Sequence, residues 1–176
     1  MIIIGIDPGT RVCGFAVIST KNNASIDILK IGSWDLFKQN PELGQRLELL
    51  YDYSKKIFTE FNPTIIGIEK AVTHKNISAS LKLSEARGII RLAAHKTLDK
   101  AEDRILELSP TKVKKNASGM GLASKSSVNK VLELRFPNLK QSLGTNYTHD
   151  SIDALAIAWS SWVEFKSNKL SPPKRA

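Results

Sequence analysis

The chain has 176 residues, 41% hydrophobic and 24% charged, a balance that excludes a disordered protein and suits one domain. Its single cysteine, Cys13, excludes an intrachain disulfide and a cysteine-based zinc site, and no stretch approaches the roughly 20 apolar residues of a membrane span. The net charge is +9, and such a surplus suits a polyanionic partner or a solvated face in equal measure.

Residues 1–7 are β-branched and uninterrupted, so they read as a buried strand that ends on a carboxylate, Asp7. This apolar run is too short for a signal peptide, and a cytoplasmic protein is expected. Pro8 and Gly9 turn the chain into a second strand over 12–19, antiparallel to the first, and a third follows over 26–34. Asn40 and Pro41 open a helix whose apolar stripe reaches Phe61, where Pro63 stops it. Residues 64–69 form another buried strand, and it too ends in a carboxylate, Glu69.

A helix over 78–99 turns Leu81, Ala86, Ile89, Ile90, Ala93 and Ala94 inward, and Gly88 marks a close backbone approach. A short strand over 104–108 leads to a helical turn over 110–115 and a helix over 124–135 that Pro137 ends. Between Pro110 and Lys140 seven cations face Glu133 alone; four more cations and no acid lie in 166–176. The last helix spans 148–165, and the basic tail 166–176 is expected to be flexible. With no repeat and no linker, residues 1–165 form a single α/β domain, three strands first and strand–helix alternation after.

Four acids sit where a core would exclude them. Asp7 and Glu69 end apolar strands, while Asp150 and Asp153 open the apolar helix that continues through Ala154, Leu155, Ala156 and Ile157. Singly, each is explained by a turn or by the helix dipole. Jointly, strand ends on one edge of an α/β sheet converge, and gathered carboxylates repel unless a hard cation neutralises them. Mg²⁺ or Mn²⁺ fits such oxygen ligands, and two divalent ions about 4 Å apart make a phosphodiester-cleaving site.

Three blocks carry a family resemblance. They are Ile4-Gly5-Ile6-Asp7-Pro8-Gly9-Thr10-Arg11-Val12-Cys13-Gly14-Phe15, then Glu69 with Lys75-Asn76 and Leu81-Lys82-Leu83-Ser84-Glu85-Ala86-Arg87-Gly88, then Asp150-Ser151-Ile152-Asp153-Ala154-Leu155-Ala156. With Lys114, Gly119, Gly121 and Lys125 between them, the chain resembles the RuvC family of Holliday-junction resolvases over residues 1 to about 160. The Asp-x-Gly opening also begins actin-like ATPases, but those need a duplicated core and a longer chain.

The resemblance implies a ribonuclease-H-like mixed five-stranded sheet flanked by helices. It implies metal-binding, catalytic acids at Asp7, Glu69, Asp150 and Asp153, holding two Mg²⁺ ions that Mn²⁺ can replace. His149, beside Asp150, is a further candidate next to the ligands. DNA contacts are expected from Lys114, Lys115, Lys125, Lys75, Arg87 and Val72. At the last of these the family often carries an aromatic that stacks at the crossover, and valine cannot stack.

The implied activity is resolution of four-way DNA junctions by paired symmetric nicks through a two-metal-ion mechanism, in homologous recombination and DNA repair. Two nicks imply a homodimer, with the apolar stripe of helix 78–99 either its interface or an ordinary core face. A junction-migrating helicase complex is the expected partner. A YqgF-like nuclease acting on structured RNA and a non-catalytic junction-binding module are the alternatives.

Overall fold

Alternation along the first strand sends Ile2, Ile4 and Ile6 to one face of the sheet and Ile3 to the other. The computed structural model describes residues 1–21, 25–70, 77–143 and 148–170. Strands β1 (Ile2–Asp7), β2 (Val12–Lys21), β3 (Ser25–Asp35), β4 (Ile65–Glu69) and β5 (Ile105–Leu108) form one sheet in the order β3-β2-β1-β4-β5. The β1–β2 and β2–β3 pairs are antiparallel, and β1–β4 and β4–β5 are parallel. Two cores result. Ile4, Ile6, Val17, Ile66 and Ile68 pack under α2 (Leu43–Phe61) and α3 (Ile77–Thr97), and Ile3, Ala16, Ile18 and Ile65 pack under α8 (His149–Leu170).

Several expectations shift at this level. Asn40 does not cap a helix at Pro41; its side-chain oxygen accepts from the Glu42 N–H, and α2 begins at Leu43. Before it stands a short helix, α1 (Leu36–Gln39), capped by Asp35, whose carboxylate accepts from the Lys38 N–H at 3.0 Å. Two further short helices, α4 (Ala101–Arg104) and α7 (Leu139–Leu143), lie where none was expected. Leu81 points out, 60% exposed, and a Cβ built on Gly88 would meet nothing within 4 Å, so the close approach is absent among the described residues.

The expected turn at 110–115 is a full helix, α5 (Pro110–Ser118). Ser109 caps its start, and Gly119, at φ 83°, closes its end in the left-handed conformation. Ser124 caps α6 (Lys125–Arg135). The last helix continues past Phe165 to Leu170, and the remainder of the tail lies outside the described residues. No described helix is long and apolar enough to cross a membrane.

Candidate active site

The strand alternation that buries Ile3 and Ile65 under α8 also turns Asp7 and Glu69 toward that helix. The parallel register sets Ile6 beside Ile68, so the two acids end neighbouring strands at the same level. Asp7 also pairs across β2 with Gly14. A Cβ at Gly14 would lie 2.0 Å from the Asp150 carbonyl oxygen, and one at Gly5 would lie 2.2 Å from that of Ala154. Glycine alone lets the first turns of α8 rest directly on the strands. A reciprocal cap fixes where the helix starts: Thr148 Oγ1 accepts from the Ser151 N–H at 3.1 Å, and Ser151 Oγ accepts from the Thr148 N–H at 3.3 Å. Asp150 and Asp153 are thereby held over the strand ends.

A cleft of about 340 Å³ opens at this edge, and Asp7, Glu69, Asp153, Lys114, Lys125 and Arg87 reach it. Leu83, Val113, Val128 and Ile157 form its apolar wall. Burial pushes the Asp7 carboxyl from 3.8 up to about 7, and the charges of Asp153, Glu69 and Asp150 add to the rise. Lys125 opposes it. Its Nζ donates to Asp153 Oδ2 at 2.6 Å, and this bond holds the ammonium above its ordinary range. The sequence offered no sign of this pair, which joins the first residue of α6 to the second turn of α8.

The other expected residues fall in different places. Asp150 does not line the cleft but acts on Asp7 through its charge. His149 is exposed at the first position of α8, and Lys115 is exposed on α5 away from the cleft lining. Val72 and Lys75 belong to residues 71–76, outside the described residues. Arg87 borders the cleft, yet its guanidinium is bonded to Glu107, so its first role is to tie α3 to β5. Arg91 shares that carboxylate and also meets Glu102 at 2.6 Å. The alternation of β5 could have revealed this link, because Glu107 shares a strand face with Ile105, which packs in the α2–α3 core.

Among the described residues no three Asp, Glu, His or Cys side chains come close enough to enclose one metal ion. The donor chemistry nevertheless suits a hard divalent cation. Asp7, Glu69, Asp150 and Asp153 are all carboxylates, and burial together with the neighbouring acids raises the Asp7 carboxyl, a penalty that a cation would offset. Lys125, paired with Asp153, brings a positive charge to the cluster.

Residues 3–160 match the family model described as "Crossover junction endodeoxyribonuclease RuvC". The chain belongs to the RuvC family. Proteins of that name from Pseudothermotoga lettingae and Brachyspira hyodysenteriae are 34% identical over 160 residues and 36% identical over 159. Each alignment covers 90% of this chain, with 92% and 91% of the respective relatives. Among solved structures, "T. thermophilus RuvC in complex with Holliday junction substrate" superposes with a TM-score of 0.79 over 95% of this chain and 97% of that one. Its sequence is 21% identical, so that likeness carries the fold. The mixed five-stranded sheet is therefore the RuvC sheet, and the acid-lined cleft lies at the ends of its two central parallel strands.

Proposed function

We propose that the protein is a structure-selective endonuclease that resolves four-way DNA junctions by paired symmetric nicks, in homologous recombination and repair. The observation that carries this reading is one cleft in which Asp7, Glu69 and Asp153 meet Lys114 and Lys125, within a RuvC-family chain. Asp7, Glu69, Asp150 and Asp153 would hold two divalent cations, Mg²⁺ in the first instance and Mn²⁺ as a substitute. When bound, such ions activate water for attack on phosphorus and stabilise the charge of the departing oxygen.

The remaining work falls to the side chains. Lys114 and Lys125 hold the phosphate oxygens at the cut and neutralise charge that grows there. For Lys125 this means leaving Asp153, a carboxylate that a cation would then take over. The apolar wall of Leu83, Val113 and Val128 excludes water from one side of the phosphate. Lys115 and Lys75 add phosphate contacts beside the cleft, while Val72 presses on a base without stacking. Arg87, held by Glu107, positions the wall rather than the DNA. His149 orients the acids at the start of α8.

Two symmetric nicks require two sites, hence a homodimer. The buried stripe of α3 (Ala86, Ile90, Ala93 and Ala94) belongs to the core. Its opposite face favours a second copy, because Ile77, Leu81 and Leu92 are exposed and fall within one helical stripe that includes Gly88. Residues 1–165 act as the nuclease domain with 166–176 as a basic tail. The enzyme works in the cytoplasm with a junction-migrating helicase complex.

The test is a nicking assay on an immobile four-way junction under a Mg²⁺ titration, with structured RNA alongside. Paired nicks in opposite strands, dependent on the cation, are expected. Binding without cleavage at any Mg²⁺ or Mn²⁺ concentration, or faster cleavage of the RNA, would overturn the reading.

A further inference from the structure

On the β2–β3 side of the strand-end edge, away from the lysines of the cleft, Arg11, Phe37 and Arg46 form a stack. Arg11 lies in the turn four residues after Asp7, and its carbonyl accepts from the N–H groups of Leu36 and Phe37 at 2.9 and 3.0 Å. The turn and α1 are therefore one unit. The Arg11 guanidinium carbon lies 3.8 Å from the centre of the Phe37 ring, and that of Arg46, in the first turn of α2, lies at 5.3 Å. Phe37 remains 42% exposed and Arg11 is exposed, whereas Arg46 is only 8% exposed. The Nε of Arg46 is buried without a hydrogen-bond partner.

Among the described residues, neither of these two arginines is compensated by an acid. Arg87, Arg91, Lys112 and Lys125 each meet a carboxylate, but among the described residues neither Arg11 nor Arg46 does. Two cations gathered over one ring repel each other, and the ring offsets that repulsion only in part. A buried guanidinium without a carboxylate is costly, and an anion held by the exposed Arg11 would offset the repulsion between the two. Arginine stacked on an aromatic keeps its in-plane N–H groups directed outward, in the fork that grips a phosphate. Because guanidinium covers the ring, the ring is a shelf for cations rather than a platform for a base.

We propose that Arg11, Phe37 and Arg46 form a second DNA-backbone contact, holding phosphates of a duplex arm that runs past the cleft toward β3. The inference rests on the junction-nuclease reading and extends it. Duplex DNA is the occupant the position favours, since Arg11 shares the sheet edge and the very turn that present Asp7.

The experiment measures binding of an immobile four-way junction in EDTA across a salt titration. It uses wild type, Arg11→Gln, Phe37→Leu and the cleft variant Lys114→Ala, with melting curves to confirm that each folds. Arg11→Gln is on the surface, which keeps the test valid even if substitutions at buried Arg46 fail to fold. Arg11→Gln should weaken binding roughly 5–20-fold at 0.15 M salt and reduce the slope of log K against log salt by about 0.9. Phe37→Leu should weaken it in the same direction. A scan of neutral methylphosphonates along the arms should then find phosphates whose replacement weakens wild type but leaves Arg11→Gln unchanged. Wild-type affinity and slope in both variants, or methylphosphonate losses that simply add to the Arg11→Gln loss, would overturn the patch and leave the nuclease reading intact. Wild-type protein that binds no four-way DNA would remove both.

Discussion

The Asp7 carboxyl is under two pressures at once, desolvation at the end of a buried strand and repulsion from Asp153, Glu69 and Asp150. With its folded pKa near 7 against 3.8 unperturbed, the folded state keeps a proton that the unfolded state has lost. Its contribution to stability therefore falls as pH rises from about 4 to 7 and is most unfavourable above 7. In metal-free buffer Asp7→Asn should consequently melt above wild type at pH 8, by about 1–3 kcal/mol, with the gain shrinking toward pH 5. Equal melting at pH 8 would show that the charge already has a sufficient partner. The same variant should lose cation-dependent nicking while binding the junction as well as wild type or better, because it removes both a proposed ligand and a charge that repels phosphate. Lys125→Ala tests the opposite charge. It should slow nicking at saturating junction on the order of 10²-fold while affinity changes far less, as electrophilic stabilisation requires. A drop in affinity with an unchanged rate would make Lys125 a positioning contact only.

At the scale of elements, α8 decides the site because its first turns lie against the sheet with no side chain between. Any Cβ at Gly14 would collide with the Asp150 backbone, which cannot give way without tilting the helix. Gly14→Ala should therefore destabilise the protein by about 1–3 kcal/mol and reduce nicking beyond what the lost stability explains. A lowered melting temperature with full activity would mean that α8 shifts without disturbing its acids. The buried strands were legible because their β-branched runs are uninterrupted, and the long helices because period 3.6 repeats over many residues. The short helices α1, α4 and α7 were not, since four or five residues hold no stripe and are set by local devices. The Asp35 cap of α1 is one, and Lys100 at φ 50°, before α4, is another.

For the whole molecule, the two faces of α3 divide the labour that its sequence left undecided. The alanine-rich face belongs to the core, and Ile77, Leu81 and Leu92 form an exposed outward stripe, the face proposed above to meet a second copy. Leu81→Glu, at an exposed position, should leave the fold intact, shift sedimentation from dimer to monomer and let singly nicked junctions accumulate. A wild-type protein that sediments as a monomer while still making paired nicks would refute that interface.

The uninterrupted β-branched runs of residues 1–7 and 64–69, with a carboxylate ending each, were enough by themselves to set two buried strands and point Asp7 and Glu69 at one edge. The spacing of Asp150 and Asp153 likewise placed both on one face of a helix. Those features are local, and period and parity carry them. Other features needed the tertiary structure. Lys125 reaches Asp153, and Arg11 and Arg46 meet over Phe37. Each of these depends on which helix lies over which strand and at what distance, and residues 9 to 35 positions apart in the chain carry no periodic trace of that contact.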